Sequence, residues 1–126
     1  MKKEKIMTQN APGAIGPYSQ AMATEGMLFT SGQLGIDLAN KTLAEGVEAQ
    51  THAALKNLGA ILAEAGLSYE NVLKTTVFLK DMGDFQTVNK VYAEYFTGDC
   101  PARSCVQVAA LPLGGLVEVE AIAVRG

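Results

Sequence analysis

Two short runs of hydrophobic and polar positions in the first third of the chain look like strands. The run YSQAMAT, the pair Glu25-Gly26 and the run MLFTSGQ read as two strands around a two-residue turn whose glycine can take positive φ. GIDLANKT follows as a polar connector. From Val47 the period changes, because Val47, Ala54, Leu58, Ile61 and Leu62 fall on one side of a helix, and Gly66 stands where a C-terminal cap belongs. After Ser68-Tyr69-Glu70 comes NVLKTTVFLK, rich in β-branched residues and apolar on both alternations, which predicts a strand with both faces at least partly covered. Asp84 is positioned to cap a second helix, in which Phe85, Val88, Tyr92 and Tyr95 recur at spacings of three and four, with Gly98 just beyond its end. RSCVQVAAL and LVEVEAIAVRG, separated by the turn-rich LPLGG, predict a second hairpin.

The predicted order is hairpin, helix, strand, helix, hairpin: an α/β layer fold occupying residues 1–126 as a single domain, with no linker or low-complexity tract. Two helices cover only one face of such a sheet. The last strand offers either Glu118, Glu120, Ile122 and Val124, or Val117, Val119, Ala121 and Ala123, to the other side. Whichever set looks away from the helices needs a partner, so a homo-oligomer built sheet against sheet is expected.

Composition strengthens that expectation. The 126 residues are 48% hydrophobic and 18% charged, more apolar surface than a small monomer easily hides. The net charge of −3, with scattered basic residues, leaves no electrostatic footprint for nucleic acid, and none is expected as a partner. MKKEKIMTQN has lysines without an apolar stretch behind them, and no run approaches a membrane span, so a cytoplasmic location is expected. Asn40-Lys41-Thr42 spells a glycosylation sequon that has no reader without a secretory signal. Cys100 and Cys105 are too few for a disulfide framework and are expected as thiols.

The arginine of PARSC is the first candidate for chemistry, since a guanidinium at the mouth of a core-bound strand is costly unless an anion meets it. Arg103, Cys105 and Gln107 share one face of their strand, and Glu118 and Glu120 share one face of theirs. If Leu111 to Gly114 form the turn, Cys105 lies opposite Glu120 and Gln107 opposite Glu118, which gathers these groups on one surface. Two readings stay open there: an Arg to Glu ion pair on a solvated sheet, or a site awaiting an anionic ligand. Other candidates are weaker. His52 falls in register with Glu48 and Lys56 on the polar side of the first helix, where solvation is expected, so with Cys100 and Cys105 it makes a poor metal set. Gly13 to Gly16 fits a GxxG loop without the flanking helices that nucleic-acid clamping needs. No phosphate-cradling loop and no histidine free for a serine triad are present.

The segments GPYSQA, TSGQLGID, VFLKDMGDFQTVNKVYAEYF, PARSCVQVAALP and VEVEAIAV together resemble the Rid (RidA/YjgF) family of reactive-intermediate enamine and imine deaminases, in order from about Asn10 to Arg125. The resemblance implies a chorismate-mutase-like subunit, with a mixed, mostly antiparallel sheet and two helices on one face. Three such subunits form a homotrimer around an inner sheet barrel, with active sites in the clefts between subunits.

It also implies roles. Arg103 matches the arginine that binds the substrate carboxylate, Tyr18 the cleft tyrosine, and Ser31 and Gly32 the backbone groups of the SGQ segment. Asn89, Cys105 and Glu118 match further cleft residues, with Glu118 as proton shuttle and Tyr18 as its helper. The departures are small: the loop before PARS is short and holds Cys100, and LPLGG replaces a more polar turn. The implied reaction is hydrolysis of 2-imino acids, the tautomers of species such as 2-aminoacrylate and 2-aminocrotonate, to 2-keto acids and ammonia. No metal and no cofactor is expected. The alternatives are a small-carboxylate-binding regulatory module without turnover and, against the acidic charge, the RNA-cleaving activity sometimes attached to the family.

Overall fold

Alanine-rich and β-branched runs form the middle of a seven-stranded sheet in the computed structural model, which describes residues 2–125. Met1 and Gly126, the ends of the expected domain, lie outside the described residues. The elements run β1 (Glu4–Ile6), β2 (Ala21–Ala23), β3 (Met27–Thr30), β4 (Gln33–Leu34), β5 (Ile36–Asp37), β6 (Thr42–Leu43), α1 (Val47–Glu64), β7 (Val72–Leu79), α2 (Phe85–Tyr95), β8 (Ala102–Gln107) and β9 (Val117–Val124). Strand order is β1-β2-β3-β9-β7-β8, with β4 also beside β9, while β5 and β6 make a separate ribbon.

The first hairpin forms as expected, closed by the Thr24 N–H donating to the Met27 carbonyl at 2.8 Å. Its Gly26 does not use positive φ. The polar connector holds more order than expected, since Ile36–Asp37 pairs with Thr42–Leu43 around Lys41 at φ 61.

The second hairpin does not form. β8 pairs in parallel with β7, Arg103 opposite Thr75 and Cys105 opposite Val77, while β9 pairs antiparallel with the other side of β7. Consequently Cys105 is not opposite Glu120, nor Gln107 opposite Glu118. The physical reason is the helix between β7 and β8: a strand, helix and strand in succession make a crossover, which delivers the second strand parallel to the first. The turn residues of LPLGG shape a longer return that carries the chain past β7, with Leu113 at φ 59 and Gly114 at φ 74.

α1 packs on β9 and β4, and Ala54, Leu58, Ile61 and Leu62 are fully buried in this contact layer, though Val47 is only half-buried. Each such leucine or isoleucine contributes about 1.5–3 kcal/mol of burial, and truncating Leu58 to alanine costs about 2–5 kcal/mol. α1 ends at Glu64, with Gly66 at φ 77 in the left-handed conformation that glycine adopts without penalty. At α2 the capping differs from expectation. Asp84 makes no side-chain cap bond, and Asp81 instead accepts from the Gly83 N–H in the short turn leading into the helix.

In β9, Val117, Val119, Ala121 and Ala123 face the helices and are buried, so Glu118, Glu120, Ile122 and Val124 look the other way. The same open face carries Met22, Phe29, Phe78 and Val106, by the register of β2, β3, β7 and β8. Phe29 and Val106 are exposed there, an apolar surface with no helix to cover it.

Candidate active site

Arg103 is built into the helix-covered face at the sheet edge. Its row across the sheet is Arg103, Thr75 and Ala121, and the last two are buried. From α2, Phe85, Asn89 and Tyr92 stand at i, i+4 and i+7 and so present one helical face to it. The guanidinium carbon lies 4.8 Å from the Tyr92 ring centre and 5.5 Å from that of Phe85, and Nη1 donates to Asn89 Oδ1 at 2.8 Å. Tyr92 is in turn tied to Thr75 by a buried hydroxyl pair at 2.8 Å. Aromatic faces and one amide hold the planar fork while its other N–H groups stay open to a ligand. Among the described residues the one ion pair joins Arg125 to Glu4 at 3.1 Å, so Arg103 has no glutamate partner.

Cys105 shares this face, half-buried, with its thiol pKa pushed up by burial and partly restored by the Arg103 charge. A raised thiol pKa suits a lining residue better than a nucleophile.

Glu118 is on the opposite face, in a row with Phe78 and Val106. The two candidates expected on one surface therefore look to opposite sides of the sheet, and no side-chain rotation brings Arg103 and Glu118 of one chain together. Burial, and then repulsion from Glu120, push the Glu118 carboxyl pKa above its usual value. Gly32 abuts this carboxylate closely: a β-carbon there would stand 2.7 Å from Glu118 Cδ. Ser31 is committed to the fold, its Oγ donating to the Ser19 carbonyl at 2.6 Å and its N–H to the Gln20 carbonyl at 2.9 Å. Tyr18, half-exposed, accepts from the Ile15 N–H at 3.4 Å.

Tyr18, Ser31, Gly32 and Glu118 line one groove of about 1140 Å³. Its rim is secured by buried Gln20, whose amide reaches the carbonyls of Thr8 and Pro12 and whose Oε1 accepts the Thr8 N–H at 2.7 Å. The candidates thus fall into two groups, Arg103, Asn89 and Cys105 by α2, and Tyr18, Ser31, Gly32 and Glu118 in the groove. In the sequence Phe85 and Tyr92 show only the periodic apolar face of the second helix, and their spacing to Asn89 is the signal that links them to Arg103.

His52 is not simply solvated. Its Nδ1 lies 2.7 Å from the Tyr95 hydroxyl, linking α1 to α2 away from both groups.

The chain is similar in sequence and in fold to known proteins. The family model described as Endoribonuclease L-PSP matches residues 8–125. A mouse (Mus musculus) protein named 2-iminobutanoate/2-iminopropanoate deaminase is 53% identical over 98% of this chain and 93% of its own length. Among solved structures, YyfA of the Rid protein family from Yersinia pestis superposes with a TM-score of 0.95 at 47% identity, covering 98% of this chain and 100% of that one. E. coli TdcF with bound serine gives 0.94 at 45% identity, covering 98% and 99%.

Proposed function

The chain belongs to the Endoribonuclease L-PSP family, the Rid family of the resemblance above, and on that premise we propose that it hydrolyses reactive 2-imino acids to 2-keto acids and ammonia. The observation that carries the reading is the division of the candidates between opposite faces of one sheet. A complete cleft then needs Arg103, Asn89 and Cys105 from one copy and Tyr18, Gly32 and Glu118 from another. This fits a homotrimer whose open sheet faces pack around an inner barrel, where Phe29, Phe78 and Val106 lose their exposure to water.

In the cleft, Arg103 holds the substrate carboxylate through two parallel N–H groups, oriented by Asn89 and by stacking on Tyr92. Water adds to the imine carbon, the C=N electron pair moves to nitrogen, and nitrogen takes up a proton. The carbinol O–H proton then passes to nitrogen, the C–N bond breaks with its electron pair leaving on ammonia, and the oxygen's electron pair closes the C=O of the ketone. Glu118 receives the proton of the attacking water and returns one to nitrogen, with the Tyr18 hydroxyl beside it. A carboxyl with a raised pKa is suited to both directions.

No helix among the described residues is long and apolar enough to cross a membrane. A cytoplasmic site of action belongs to the same proposal.

The test is keto-acid and ammonia release from 2-aminoacrylate and 2-aminocrotonate freshly generated by a dehydratase, with and without the protein. Faster release supports the deaminase; binding of a stable amino or keto acid without acceleration favours a carboxylate-sensing module instead. The second outcome has a specific motive, since the TdcF relative was solved with serine bound. RNA cleavage, suggested by the family description, finds no support in a net charge of −3.

A further inference from the structure

The large exposed apolar side chains of this chain are not scattered evenly. Met7, Ile15, Tyr18, Leu38 and Leu113 all line the groove that holds Glu118. Two stand out. Like Met7 at 65%, Ile15 is 79% exposed and Leu113 64% exposed, but these two come from separate loops, one before Tyr18 and one before β9, that meet at the groove.

Leu113 is held there by an uncommon backbone. Its φ of 59 is in the left-handed region, which a branched L-residue rarely enters. The loop is anchored on both sides of it: Leu111 is buried, and Gly115 sits so near Leu34 that a β-carbon would meet Cδ2 at 2.9 Å. Gln50 of α1 adds a bond, its Oε1 accepting the Leu116 N–H at 2.9 Å. The left-handed turn itself serves the return to β9, closed by the Gly115 N–H donating to the Pro112 carbonyl at 3.0 Å. Glycine suits φ 59 better than leucine, so what the fold leaves unexplained is the choice of an exposed apolar side chain on the groove. Ile15 is presented similarly, through the bond from its N–H to Tyr18 Oη.

We propose that Leu113 and Ile15 form an apolar grip for the substrate's side chain, so that this protein favours 2-imino acids with branched or long apolar chains over the methyl-bearing 2-iminopropanoate. The proposal rests on the deaminase reading and deepens it. With the carboxylate at Arg103 and the imine carbon near Glu118, the side chain is the remaining part of the substrate, and this rim is an apolar surface of the groove that Glu118 also lines. Each methylene seated in an apolar pocket is worth about 10-fold or more in kcat/KM.

The experiment supplies imino acids in situ from alanine, leucine and phenylalanine with an L-amino-acid oxidase, and follows their hydrolysis by the wild-type protein, Leu113→Lys and Leu113→Gly. Glycine suits φ 59, so Leu113→Gly is expected to keep or raise Tm, which separates loss of the side chain from loss of fold. In the wild type the leucine-derived imine is expected to exceed the alanine-derived one in kcat/KM. Both variants are expected to lose about 10-fold or more on the leucine- and phenylalanine-derived imines, mainly through KM, and about threefold or less on the alanine-derived one.

Equal losses on all three substrates, no loss on any, or dissociation of the assembled protein by Leu113→Lys in sedimentation would each overturn the grip. A wild type inactive on every imine overturns the deaminase reading itself, an outcome distinct from activity without side-chain preference.

Discussion

Gly32 and Glu118 are fitted so closely that a β-carbon on the glycine would stand 2.7 Å from Cδ and 2.9 Å from Cγ and Oε2 of the glutamate. The clashing atoms are all in one flexible side chain, so the backbone need not yield when alanine is introduced. The carboxylate moves instead. Gly32→Ala is therefore expected to leave Tm within a few degrees of wild type while lowering kcat by about 10- to 100-fold, because a shift of about 1 Å in a positioned group is costly. Chemical denaturation alongside imine turnover checks this; a parallel loss of stability and activity would mean the glycine serves the fold.

Arg103 is held by a fork-shaped set of contacts: Asn89 Oδ1 at 2.8 Å, and the Tyr92 ring centre at 4.8 Å. Lysine keeps the charge but not the plane. Arg103→Lys is expected to raise KM for imino acids by about 10-fold or more and to misplace the imine carbon, lowering kcat as well. Arg103→Ala is expected to lose more activity, yet to fold and assemble normally, since no ion pair among the described residues depends on it. If Arg103→Ala instead melts early while the residual assembly still hydrolyses imines, the arginine is structural.

The pH dependence follows from Glu118, whose pKa burial raises above the ordinary 4.5. In the window between 4.5 and the raised value, the folded state binds more protons than the unfolded one. The carboxyl's contribution is thus fully present below the window and is lost as pH rises through the folded pKa. Glu118→Gln cannot ionise, so its Tm advantage over wild type is expected to be larger at about pH 7.5 than at about pH 4. In the proposed shared cleft a neighbouring chain's guanidinium would pull the same pKa down, and the difference would then widen in an Arg103→Ala background. Turnover by Glu118→Gln is expected to fall by about 10²- to 10⁴-fold. A loss under about threefold removes the residue from the reaction.

Much of this architecture is legible in the sequence where a single period decides the matter. Ala54, Leu58, Ile61 and Leu62 mark α1, and the alternation Val117, Val119, Ala121 and Ala123 marks β9. Pairing was misread because LPLGG between two apolar runs has the composition of a hairpin turn. The competing signal lay upstream: α2 between β7 and β8 imposes a parallel crossover, which puts β7 between the strands taken as neighbours. That error concealed the main property of the site. Alternation within one strand gave the faces of Arg103 and Glu118 separately, but their relation depends on which strand lies between, and that is a tertiary fact.

Opposite faces also make the cleft testable by mixing. Arg103→Ala and Glu118→Gln each remove one side of the proposed site, and each alone is expected to be nearly inactive. When the two are denatured together and refolded at equal ratio, subunits combine at random. An Arg103→Ala chain still supplies Glu118, and a Glu118→Gln chain still supplies Arg103, so about one quarter of the inter-subunit clefts receive both intact groups. Activity is expected to recover to about a quarter of wild type, with the substrate KM of wild type, because the restored clefts are unmodified. A site contained within one chain gives no such recovery, since every chain in the mixture carries one defect. Absence of recovery in a mixture shown by mass to contain hybrid assemblies would therefore sink the shared cleft, whatever the oligomeric state.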